Sequence, residues 1–127
     1  MQQEHTGPGP YTSWPTEPHA RWIRAGNTFG RHVIAALEYA KKNIPPGVSS
    51  EERAIAEKAA ADVVRALMAL FDGVTKSDID PGHVAGYVLQ MQVLRRGEPQ
   101  PVEVFELAPV GDGLGMGFAG WVEGDFG

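Results

Sequence analysis

The chain has 127 residues and no cysteine, which excludes a disulfide framework, a thiolate metal site and a cysteine nucleophile. It carries 11 Lys and Arg against 16 Asp and Glu, and this net charge of −5 argues against nucleic-acid binding by the whole domain. All the basic residues lie within residues 1–96, whereas residues 97–127 hold six carboxylates and no base, a local charge of −6.

Residues 1–18 form an arm rich in proline and glycine, and residues 19–127 are predicted to form a single domain. Two alternatives stay open for the arm: a disordered segment, or a segment held on the domain by Tyr11 and Trp14. The first residues lack the basic start and apolar run of a signal peptide, and no apolar stretch has the length of a membrane-spanning helix. A cytoplasmic protein with no membrane contact is therefore expected.

Residues 19–44 are predicted to form the first helix, between Pro18 and Pro45-Pro46. Its apolar face follows alternating spacings of three and four residues: Trp22, Gly26, Phe29, Val33, Leu37, Ala40 and Ile44. Gly26 and Gly30 allow a second helix to approach closely. The alternative is a break near Gly26 and Asn27, with Thr28 capping a shorter helix.

Residues 49–72 are predicted to form the second helix. Ser49 and Glu52 have the spacing of a capping box, and Asp72-Gly73 is a typical helix end. One side is apolar, and neighbouring positions widen its arc: Ile55, Ala59, Val63, Ala66, Leu67 and Leu70, joined by Val64, Met68 and Phe71. An apolar arc of this width predicts a central helix.

The remaining sequence favours strands. Apolar residues occupy the odd positions of residues 84–94, which predicts a strand, although a helix also fits this segment. Residues 101–108 and 115–123 alternate in the same way, the latter with glycine on one side. We therefore predict an α+β fold, in which two N-terminal helices pack on one face of a C-terminal antiparallel three-stranded meander, in two layers.

No motif in the sequence predicts catalysis, a cofactor or a metal. The "GDGLGMG" stretch at residues 111–117 has the wrong spacing for a dinucleotide fingerprint, and a phosphate site is implausible in so acidic a segment. His5, His19, His32 and His83 lack metal-ligand spacing. "SDIDPG" at residues 77–82 resembles a fragment of a calcium loop but lacks the distal glutamate.

The charge asymmetry favours a small acidic protein-binding module of the inhibitor, immunity-protein or adaptor kind. Its acidic C-terminal hairpin would engage a basic protein partner through Asp112, Trp121, Glu123 and Asp125. The alternative for Trp121 is packing against the helices.

Two other functional classes stay open. One is a small enzyme or ligand-binding domain with a pocket between helices and sheet. Its predicted lining is Trp22, Tyr39, Tyr87 and Phe118, with Glu38, His32 or His83 as polar groups. The other is a homo-oligomer that pairs through a sheet edge, which the basic first helix and the acidic last strands would favour.

Overall fold

The computed structural model describes residues 13–73, 77–107 and 113–127. In chain order its elements are α1 (Pro18–Lys42), α2 (Ser50–Phe71), β1 (Ser77–Asp80), β2 (His83–Ala85), β3 (Gln90–Leu94), β4 (Pro101–Glu106) and α3 (Leu114–Trp121). Three helices and two separate two-stranded antiparallel sheets make this an α+β fold, as predicted. The strands pair as β1–β2 and β3–β4, so the described residues do not form the predicted three-stranded meander.

Helix α1 runs without a break through both of its glycines. The carboxylate of Glu17 caps its start by accepting hydrogen bonds from the backbone N–H groups of His19 (2.6 Å) and Ala20 (3.1 Å). Thr28 does not cap a shorter helix, because its hydroxyl donates to the carbonyl of Arg24 one turn earlier (2.8 Å). The predicted helix is confirmed, with Lys42 as its last residue.

The capping box predicted for α2 is present. The N–H of Glu52 donates to Ser49 Oγ (3.1 Å), and the N–H of Ser49 donates to Glu52 Oε1 (2.8 Å). The second of these hydrogen bonds lowers the pKa of the Glu52 carboxyl, because it favours the charged form.

The glycine-rich segment forms helix α3, so the strand predicted over residues 115–123 is wrong. Leu114, Phe118 and Trp121 follow a spacing of four and three, and they share the buried face of this helix. Asp72, at the end of α2, accepts hydrogen bonds from the N–H groups of Leu114 (2.7 Å) and Gly115 (2.9 Å). A residue 42 positions earlier in the sequence therefore caps α3, which local periodicity does not reveal.

The segment predicted as one strand over residues 84–94 contains two strands, β2 and β3, that belong to different hairpins. The β1–β2 hairpin includes Ser77–Asp80, within the "SDIDPG" stretch, for which no strand was predicted. In the β3–β4 hairpin, Met91 pairs with Phe105 and Val93 pairs with Glu103, and these four side chains are half-buried. The alternation predicted for residues 84–94 and 101–108 is therefore confirmed within β3 and β4.

The three helices pack against one another around a buried core. The core contains Ala25, Val33, Leu37, Met68, Leu107, Leu114, Phe118 and Trp121. The β3–β4 hairpin lies against α1, since Leu89, Met91 and Phe105 pack on this core and the indole of Trp22 donates to the carbonyl of Glu106 (3.1 Å).

The described part of the N-terminal arm contacts the domain. Trp14 donates to Glu103 Oε1 (3.2 Å) and meets the ring of Phe105 edge-on at 6.2 Å. Arg21 donates to the other carboxylate oxygen of Glu103 (2.7 Å). This geometry agrees with the docked alternative for residues 13–17, whereas Tyr11 lies outside the described residues.

Candidate interaction surface

Trp121 lies in the core and packs against the helices, which is the alternative to its predicted role in binding a partner. Only 4% of this residue is exposed, and its indole N–H donates to Asn27 Oδ1 (3.0 Å). The ring of Phe29 meets the indole edge-on at 6.1 Å. Gly30 provides the space, because a Cβ built on it would lie 2.3 Å from Trp121 Cε2. Trp121 therefore attaches α3 to α1 and presents almost no surface to a partner.

Glu123 and Asp125 are exposed just after the C-terminal end of α3. The N–H of Asp125 donates to the carbonyl of Gly120 (3.0 Å), which holds this turn against the helix. The aligned peptide dipoles give a helix C-terminus partial negative charge, so both carboxylates add to an acidic end. Asp112 lies outside the described residues.

Helix α2 carries an exposed line of apolar side chains, although the sequence predicted a central helix. Five residues follow spacings of three, four, three and four along one side of this helix, and we call them the α2 seam: Ala56, Ala59, Val63, Ala66 and Leu70. Ile55 and Leu67 flank them. The exposed fractions of Ile55, Val63 and Leu67 are 66%, 61% and 45%. The middle of the seam, from Ala59 to Ala66, is therefore open in the part of the chain that the structure describes, whereas Ala56 and Leu70 at its ends are half-buried.

The opposite side of α2 accounts for its attachment to the domain. Ala60, Ala61, Val64 and Phe71 pack around the buried Met68 against α1 and α3. The wide apolar arc therefore divides into a packed half and an open half, and α2 is not the central helix that the sequence predicted. A burial pattern of this kind is expected where an apolar face has a partner outside the chain.

Charged residues border one flank of the seam. Lys58 Nζ lies 2.7 Å from Asp62 Oδ2, and Arg65 lies 3.1 Å from Asp62 Oδ1. The hydrogen bond from Lys58 is the main reason that the pKa of the Asp62 carboxyl is lowered. This flank of the seam thus carries positive and negative side chains, which form ion pairs with one another along the helix.

Two of the cavities along α1 are small. One of about 190 Å³ lies between α1 and α3, beside Trp22, Gly26 and Trp121. Another cavity, of about 260 Å³, lies between α1 and β3 beside His32. This is the position between helices and sheet at which the sequence analysis places a pocket. The other residues predicted to line that pocket are dispersed, since Phe118 is in the core and Tyr39 is 71% exposed. Both volumes are below the roughly 300–1,000 Å³ usual for small-molecule sites.

Within residues 13–73, 77–107 and 113–127, no three His, Asp or Glu side chains are grouped so that they hold a metal ion. No described helix has both the length and the apolar character needed to cross a membrane. Comparison of the chain with protein-family models, with curated proteins and with solved structures finds no match.

Proposed function

We propose that this protein is a small acidic protein-binding module. The observation that supports the proposal is the open middle of the α2 seam with its flanking Ile55 and Leu67, because an apolar helix face about three turns long that is left in water favours association with another surface. Amphipathic helices commonly bind by placing such a face against a partner, with anchors at spacings of three and four residues.

The acidic end of the molecule is the second part of the proposal. Glu123 and Asp125 follow the negative end of α3, within a C-terminal quarter that holds six carboxylates and no base. We propose that this end engages a basic protein partner, and that it raises the association rate more than the affinity. Asp112 belongs to the same acidic segment, and Trp121 contributes by holding α3 in position. A cytoplasmic setting is part of this proposal.

The experiment is capture of the partner from a lysate of the host on the immobilised chain, with mass spectrometry at low and moderate salt. We expect a basic protein that is released as salt rises, because screening weakens interactions between exposed charges. The test variant is Glu123→Lys with Asp125→Lys. The matched control is Glu38→Lys with Asp78→Lys, which changes the net charge equally at exposed positions elsewhere.

Loss of the captured protein in the test variant, with retention in the control, would support the acidic end as the binding site. Equal capture by wild type, test variant and control would overturn it. Equal loss in both variants would also overturn it, because net charge alone would then account for the binding.

A further inference from the structure

We propose that the α2 seam binds the α2 seam of a second copy of this chain, as an antiparallel helix pair. This inference rests on the proposed function, in which the seam is a binding surface, and it leaves the acidic end free for the basic partner. The resulting dimer would present two acidic ends.

The spacing of the seam supports a helical occupant. Steps of three and four residues from Ala56 to Leu70 are the repeat that lets two α-helices pack side by side along a continuous line. Three of the five residues are alanine, so the helix axes can approach to the short end of the roughly 8–10 Å range of helix pairs. A partner that does not place a helix axis close to α2 would not require small residues along the seam.

The seam is complementary to itself in the antiparallel direction. With a two-fold axis near residue 61, Ala59 of one copy lies opposite Val63 of the other, and Ala56 lies opposite Ala66. Each valine thus meets an alanine, so the two central layers have equal volumes, and the layers beside them pair alanine with alanine. Ile55 and Leu67, exposed in the single chain, lie on the two flanks of this pair and exclude water from it.

The charge on α2 favours the same direction. Residues 50–57 contain three carboxylates and one arginine, a net charge of −2, whereas residues 58–71 contain Lys58, Arg65 and Asp62, a net charge of +1. An antiparallel pair places the acidic half of each helix beside the basic half of the other, whereas a parallel pair places the two acidic halves together. Antiparallel packing also sets the two helix dipoles in opposition.

The first test is the mass of the full chain in solution, by light scattering after size exclusion, from low to high micromolar concentration. We expect a species of twice 13.7 kDa. Val63→Glu places a charge in the middle of the seam and should yield a monomer with unchanged circular dichroism, because Val63 is already 61% exposed. Val88→Glu is the matched control, since Val88 is 62% exposed and lies outside α2, and it should stay dimeric.

The second test is the orientation of the helices. The chain has no cysteine, so single cysteines introduced at Ala59→Cys and at Val63→Cys report only on the seam. When the two variants are mixed and oxidised, the antiparallel pair predicts a mixed disulfide between them in excess over like-with-like disulfides. A parallel pair predicts the reverse, and that result would overturn the proposed arrangement.

The remaining outcomes are also decisive. A monomer at every concentration would overturn the second copy as occupant, while capture that depends on Glu123 and Asp125 would leave the protein-binding function standing. A dimer that persists in Val63→Glu would overturn the seam as the dimer interface. That result would favour pairing through a sheet edge. The chain could instead be monomeric and capture a different protein. If Val63→Glu abolishes that capture, the seam is the binding site for that protein.

Discussion

Replacing Gly30 with alanine tests the packing that positions α3. A Cβ at this position would lie 2.3 Å from Trp121 Cε2, 2.5 Å from Cδ2 and 2.6 Å from Nε1. Real Cβ atoms do not approach other atoms this closely, so the indole must move. The ring is buried, hydrogen-bonded to Asn27 and packed on Phe29, and it cannot move without loss of these contacts.

The magnitude follows from two opposing effects. Overpacking a core costs about 1–3 kcal/mol, and three close contacts to a rigid ring place Gly30→Ala at the upper end. Alanine in a helix interior recovers about 1 kcal/mol relative to glycine. We therefore expect a net loss of about 2 kcal/mol, or roughly 6–12 °C in Tm for a domain of this size.

Gly26 provides the matched control on the same helix. No atom lies within 4 Å of a Cβ built there, so Gly26→Ala should gain up to about 1 kcal/mol from helix propensity alone. The free energies of unfolding of both variants are measured by denaturant titration. Their difference isolates the clash, because the propensity gain is common to both. Equal stability of the two variants would refute the packing argument.

Three further predictions concern caps and the arm. Asp72→Ala should cost about 1–2 kcal/mol in denaturant unfolding, because it removes the cap of α3, and an unchanged midpoint would contradict that role. The pKa of the Glu52 carboxyl is lowered in the folded state, so its contribution to stability is present above the ordinary glutamate pKa of 4.5 and is lost as pH falls through the lower folded value. Glu52→Gln, which keeps the hydrogen-bonding shape but does not titrate, should therefore reduce the loss of stability on acidification below about pH 4.5, and unchanged pH dependence would count against the capping box. Arg21→Gln and Glu103→Gln should each lower stability by about 0.5–1 kcal/mol, with a double variant less destabilised than the sum, and simple additivity would show that the pair is not coupled.

The sequence by itself predicted the elements whose signals are local. Helix α1 follows from its periodicity between prolines, and α2 follows from a capping box that spans four residues. The alternation within β3 and β4 also favoured strands, because strands with one buried face repeat every two residues. For these elements the interactions that select the conformation lie within a few residues of one another.

The tertiary structure decided the identity of the last element. Alternating glycines and large residues at 114–121 fit a strand, while Leu114, Phe118 and Trp121 equally fit one face of a helix. The choice depends on the carboxylate of Asp72 at the helix start and on the space at Gly30 for the indole. Both groups lie more than 40 residues away in the sequence.

Only the tertiary structure decided which half of the apolar arc of α2 is buried. Both halves have the composition of a core, so periodicity does not distinguish Met68, packed against α1 and α3, from Val63, open to solvent. The physical reason is that burial depends on what packs against a face. The residues of the face determine only that something apolar should cover it.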